Sequence, residues 1–130
     1  MNLKIITHEK IVFDNEVDEL VIQTTSGLIG ILKDHIPITT SLDIGVTKAK
    51  IGEKFKYFAT MGGVFQFKDN KAVILTDVCD EDSAIDVARA NSAKARAEAR
   101  LADISADIDA KRAQAALARS LARLQAALEK

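Results

Sequence analysis

One boundary constrains the fold of this chain more than any single motif. All six glycines and the only proline fall within residues 1–81, whereas alanine occurs three times before residue 82 and 17 times after it. Glycine and proline serve turns and interrupt helices, and alanine is the best helix former. The architecture is expected to change there, giving a domain at 1–81 and a second at 82–130. Basic residues change with it: the first 88 positions hold nine lysines and no arginine, and Arg89, Arg96, Arg100, Arg112, Arg119 and Arg123 all follow.

Before the boundary, short apolar runs recur at roughly 8–12-residue spacing, with turn formers between them: LKII, KIVF, ELVIQ, LIGIL, GVTKAKI, KFKYFAT, GVFQF and KAVILT. The spacing predicts an all-β sandwich of about ten strands. Val46, Lys48 and Lys50 alternate with Thr47, Ala49 and Ile51, and Phe65 and Phe67 flank Gln66, so one face of each strand is buried and the other wet. Asp69-Asn70 reads as a tight hairpin, and Gly62-Gly63 as a bulge or a close backbone approach.

After the boundary, Ala, Arg, Lys, Glu and Leu dominate without a glycine or proline, which predicts helix. The short acidic and β-branched residues of DISADIDAK favour a break near Ser105 to Asp109, so two helices of roughly 20 residues fold back as an antiparallel hairpin. Leu117, Leu121, Leu124 and Leu128 step by four, three and four, a narrow stripe for a partner helix. The expected fold class is α+β: a sandwich followed by a helical hairpin. Four leucines and many alanines barely offset the entropy of ordering some 40 residues, so the hairpin is expected to be marginally held.

Net charge −1 and a pI near 6.1 give no electrostatic reason to expect nucleic acid as a partner. No stretch approaches the roughly 20 apolar residues that span a bilayer, and the opening MNLKIITHEK lacks the apolar core of a secretory signal, so no direct membrane insertion is expected. Cys79 is the only cysteine and has no metal-site spacing, which makes it a packed, reduced thiol. His35, in the turn KDHIP, has no paired nucleophile or carboxylate constellation and reads as a structural histidine. No catalytic residue and no metal site is expected.

TTSGLIGILKDHIPITTSLDIG, MGGVFQF and AALARSLARLQAALEK, in this order of domains, together resemble the epsilon-subunit family of F-type ATP synthase over nearly the whole chain. The most specific segment is the pattern of Gly27, Gly30, Ile31, Leu32, His35 and Pro37. The resemblance implies a non-catalytic central-stalk protein. Its sandwich would sit against the gamma subunit and the c-ring, with Gly27, Leu28 and Ile29 of a loop at Ser26 to Leu32, and His35 beyond it, as the c-ring contact. Leu28 stands where many relatives carry an acidic or polar residue. The hairpin would lie folded beside the sandwich or extend along gamma to the beta subunits and suppress ATP hydrolysis. The implied location is peripheral, at the cytoplasmic face of a bacterial plasma membrane.

The family also carries an Ile/Leu-Asp-x-x-Arg-Ala motif at the start of the first helix, where some members bind ATP as a regulatory ligand. By resemblance the site here is Ile85, Asp86, Arg89 and Ala90, completed by Arg96, Arg119 and Arg123. Arg119 and Arg123 are i,i+4 neighbours, and guanidinium groups suit bidentate phosphate contact. A plainer reading is open beside it: Ser83 to Asp86 spells a capping box, with Asp86 and Arg89 a surface pair. Asp80, Glu81 and Asp82 would repel phosphates if they faced the site. No glycine-rich loop with lysine is present, so a nucleotide site would be made of side chains on two helices and weak to moderate. Three functions follow: a rotor subunit with an ATP-responsive inhibitory hairpin, a purely structural coupling subunit with a permanently packed hairpin, or a small nucleotide-dependent enzyme.

Overall fold

The computed structural model of the chain describes residues 1–102 and 107–128. Among them are eight strands: β1 Asn2–Ile6, β2 Ile11–Glu16, β3 Glu19–Thr24, β4 Gly27–Leu32, β5 Ile38–Ile51, β6 Lys54–Lys68, β7 Lys71–Leu75 and β8 Cys79–Glu81. A 3-10 turn at Asp82–Ala84 leads to two helices, α1 Val87–Ala102 and α2 Asp107–Leu128. Eight strands replace the expected ten: β5 and β6 are 14 and 15 residues long, and β6 joins two runs that the sequence shows as separate. KFKYFAT and GVFQF are one strand.

The strands hydrogen-bond in the order β2-β1-β7-β6-β5-β3-β4, with β8 added to β6. β1 and β7 run parallel and the other pairs antiparallel. Leu3 and Ile5 of β1 share one buried cluster with Leu20 and Ile22 of β3, Ile31 of β4 and Phe58, Phe65 and Phe67 of β6. Elements from opposite ends of the sheet therefore face each other, and the sheet has folded over into a sandwich around an apolar core. Thr47 and Ala49 are buried while Val46 and Lys48 are not, and Phe65 and Phe67 are buried around an exposed Gln66, as alternation predicts.

Asp69 and Asn70 both adopt positive φ, +52° and +58°, and turn β6 into β7 as the expected tight hairpin. Gly63 lies at φ +117°, and a Cβ there would come within 2.1 Å of the Leu75 carbonyl oxygen. This is the close approach that Gly62-Gly63 suggests; it lets β6 pass β7 at the fold of the sheet.

α2 packs on both the sheet and α1. Its contact with the sheet is made by Ala122 and Ala126, which are buried with Tyr57 and Ala59 and flanked by Ile44, Val46, Met61 and Ile85. Ala113 and Ser120 form a second buried stripe seven residues apart, and α1 buries Ala90 and Ala97 at the same spacing. The Ser120 hydroxyl donates to the Ala116 carbonyl, so its burial leaves no polar atom unpaired. The leucine stripe is corrected in part: Leu117 and Leu124 are half-buried, but Leu121 and Leu128 are 45% and 79% exposed. Small side chains let helix and sheet backbones approach closely, and leucines at the contact would hold them apart. The connection expected at 105–109 lies in part outside the described residues, and α2 has already begun at Asp107.

Candidate functional site

Asp86, Arg89, Ala90, Ala93 and Arg96 stand at i, i+3, i+4, i+7 and i+10 around the start of α1, which places them on one helical face. That face, with Asp80 of β8, Ala84, Ile85 and Arg123 of α2, lines an open cleft of about 320 Å³. A volume of this size falls within the range of small-molecule sites. Ala90 and Ala93 keep the wall low between three guanidinium groups and two carboxylates.

Of the residues assigned to ATP by resemblance, the structure brings Ile85, Asp86, Arg89, Ala90, Arg96 and Arg123 to this one cleft. Arg119 is half-buried and does not line it. It sits one turn, about 6 Å, before Arg123 along the axis. Ala93 belongs to the same α1 face and was legible from its spacing. Asp80, supplied by a strand, does face the site, the possibility that the acidic trio raised in the sequence.

Each member of the acidic trio has its own partner. The Arg123 Nε donates to Asp80 Oδ2 at 2.7 Å, Lys56 Nζ lies 3.5 Å from Glu81 Oε2, and the nearly buried Asp82 accepts the Tyr57 amide at 3.1 Å. Only Asp80 reaches the cleft, and there it is neutralised by an arginine instead of standing free against a phosphate.

Asp86 Oδ1 accepts the backbone N–H of Arg89 at 3.0 Å, and Asp86 O accepts that of Ala90 at 3.0 Å. Asp86 is thus the N-cap of α1, not the third residue of a helix capped by Ser83. The 3-10 turn takes up Ser83, and Ile85 is extended at φ −81°, ψ 125°, which delays the helix to Val87. One oxygen of Asp86 is engaged in this bond, and carboxylate oxygens accept more than one. Cys79, beside this segment, packs against the sandwich core as expected. Burial pushes its thiol up to about 12, and the carboxylates of Asp80 and Glu81 add to the rise.

Of the second assigned set, Gly27, Leu28 and Ile29 lie on β4 and His35 in the turn that follows it. Ser26 to Leu32 is mostly strand β4, not a loop, and its alternation turns Leu28 outward, 67% exposed, while Ile29 packs against the core. Gly27 takes φ +124° at the start of that strand. His35 lies half-buried in the following turn, its ring edge-on to Phe67 at 5.9 Å and its Nδ1 2.7 Å from the Ile36 carbonyl. That is the structural role expected of it. Leu32 and Ile36, the latter 74% exposed, join Leu28 as outward apolar residues outside the assigned set.

Comparison with known proteins bears on both regions. The beta-sandwich domain of the ATP synthase delta/epsilon chain matches residues 1–81, and the long alpha-helix domain of that chain matches residues 83–127. The ATP synthase epsilon chain of Desulforamulus reducens is 41% identical over 99 residues, covering 76% of this chain and 75% of that one. The chloroplastic epsilon chain of Nicotiana tabacum is 37% identical over 101 residues, 78% of this chain and 76% of that one. Among solved structures, a chain of the Euglena gracilis mitochondrial ATP synthase, OSCP/F1/c-ring in rotational state 1, superposes with a TM-score of 0.84 at 22% identity, over 97% of this chain and 79% of that one. A chain of the Tetrahymena thermophila mitochondrial central stalk and c-ring gives 0.55 at 16% identity, over 64% and 67%.

Proposed function

We propose a rotor role from one premise: the chain belongs to the ATP synthase delta/epsilon chain family. In this reading it is a non-catalytic central-stalk subunit that couples the catalytic head to the membrane rotor, with the gamma subunit and the c-ring as its partners. It is peripheral to the membrane, at the cytoplasmic face of a bacterial plasma membrane; among the described residues no helix is long and apolar enough to cross a bilayer. The outward Leu28, with Leu32 and Ile36, offers the c-ring an apolar contact in place of a charged one.

The hairpin is the regulatory part. Docked on the sandwich it leaves hydrolysis free; released, it extends towards the beta subunits and suppresses hydrolysis. ATP acts as a regulatory ligand that favours the docked form. The observation that carries this reading is the convergence of Asp86, Arg89 and Arg96 of the first helix with Arg123 of the second on one cleft. Three guanidinium groups supply phosphate donors, and the free oxygen of Asp86 supplies an acceptor for an amino or hydroxyl group. A ligand touching both helices stabilises the arrangement that brings them together, by about 2.7 kcal/mol at 100-fold saturation.

Calorimetric titration of ATP into the full chain, with and without magnesium, tests the site. Saturable binding that is lost in both Arg89→Ala and Arg123→Ala is the expected result. No heat at millimolar ATP overturns it. A second reading has its own support, since Asp86 already caps α1 and Asp80 already holds Arg123. In that reading the subunit is a purely structural coupler with a permanently packed hairpin, and hydrogen exchange of the hairpin is indifferent to ATP.

A further inference from the structure

The two helices are attached to the sandwich by little. α2 meets the sheet through Ala122 and Ala126 on Tyr57 and Ala59, where two of the smallest apolar side chains bury correspondingly little area. Among the described residues one ion pair joins the hairpin to the strands, Arg123 with Asp80 at 2.7 Å. Lys94 with Glu98 stays within α1, and Lys56 with Glu81 stays within the sandwich.

We propose that Asp80 and Arg123 form the latch that holds the helical hairpin on the sandwich when no ligand is present. Asp80 is well placed to anchor it. β8 is bonded into β6 at Phe58, Ala59 and Thr60, and Asp82 pins the next turn to the Tyr57 amide, so the carboxylate projects from rigid backbone. Arg123 sits one residue past Ala122, so the pair closes directly beside the apolar contact. The bond uses Nε of the guanidinium and leaves its two terminal amino groups for the cleft. Asp80 is thereby also a positioning residue, setting the direction in which Arg123 faces a ligand. At about a third exposed on each side, the pair is strong enough to bias a marginal contact and weak enough to open.

The latch deepens the hairpin regulation proposed above and rests on it for its purpose, but its existence is tested without nucleotide. Hydrogen exchange of amides 120–127 would be followed in the full chain at low salt, with the thermal melt of the sandwich as the control for folding. Asp80→Asn and Arg123→Gln are each expected to speed exchange about two- to fivefold. The double variant is expected to be no faster than either, because both break one bond. Added salt should speed exchange in the wild type and leave the variants unchanged. The swapped pair Asp80→Arg with Arg123→Asp should restore protection. Unchanged exchange in the single variants, additive effects in the double, or a well-folded swap without protection overturns the latch. Failure of ATP to bind the wild type overturns the nucleotide reading alone, since no step here contains ATP.

Discussion

Gly63 and Cys79 show how single positions are set by their neighbours. At φ +117° an L side chain is strained, and a Cβ 2.1 Å from the Leu75 carbonyl oxygen forces β6 and β7 apart at the fold of the sheet. Gly63→Ala is expected to cost about 2–4 kcal/mol, read as a lower midpoint in urea with an unchanged slope. The Cys79 thiol, held protonated up to about 12, should react with a thiol reagent at pH 8 far more slowly than a free cysteine. The folded pKa is raised, so the contribution of this thiol to stability is complete below its ordinary value of 9.0 and is lost as pH rises from there towards 12. The stability difference between the wild type and Cys79→Val should therefore fall over that window.

For the elements, the start of α1 and the contact face of α2 make separate demands. Asp86 satisfies the Arg89 amide as N-cap, so Asp86→Ala should weaken the first turn of α1 by about 0.5–2 kcal/mol, while Asp86→Ser retains most of it. Amide exchange at residues 89–91 would report the difference. Ala126, fully buried against the sheet, has no room for a larger side chain; Ala126→Leu should lift α2 and speed its exchange without altering the sandwich melt. The periodicity of the leucines pointed to a different face. It identified α2 as amphipathic, but a pattern of large apolar residues does not reveal that the actual seam is built from small ones.

Across the whole molecule, stability is divided unevenly. The large buried side chains from Leu3 to Ile74 all belong to the sandwich, and the helices add a smaller cluster centred on Tyr57, Ala59, Ala122 and Ala126. A fragment of residues 1–86 is expected to keep a cooperative unfolding transition close to that of the full chain, as measured by circular dichroism on heating. A sharp loss of cooperativity would show that the helices carry more of the fold than their contacts indicate.

The sequence by itself determined the change of architecture at residue 82, the alternating strands and the Asp69-Asn70 hairpin. Each of these follows from backbone propensity or from the period of a single element, and such properties are local. Tertiary structure alone decided that β5 and β6 run unbroken, that alanines rather than leucines meet the sheet, and that Asp86 caps the helix directly. It also decided that Asp80, 43 residues from Arg123 in the chain, completes the cleft and pairs with it. Contacts between elements depend on how closely two backbones approach, and no one-dimensional pattern of residues contains that distance.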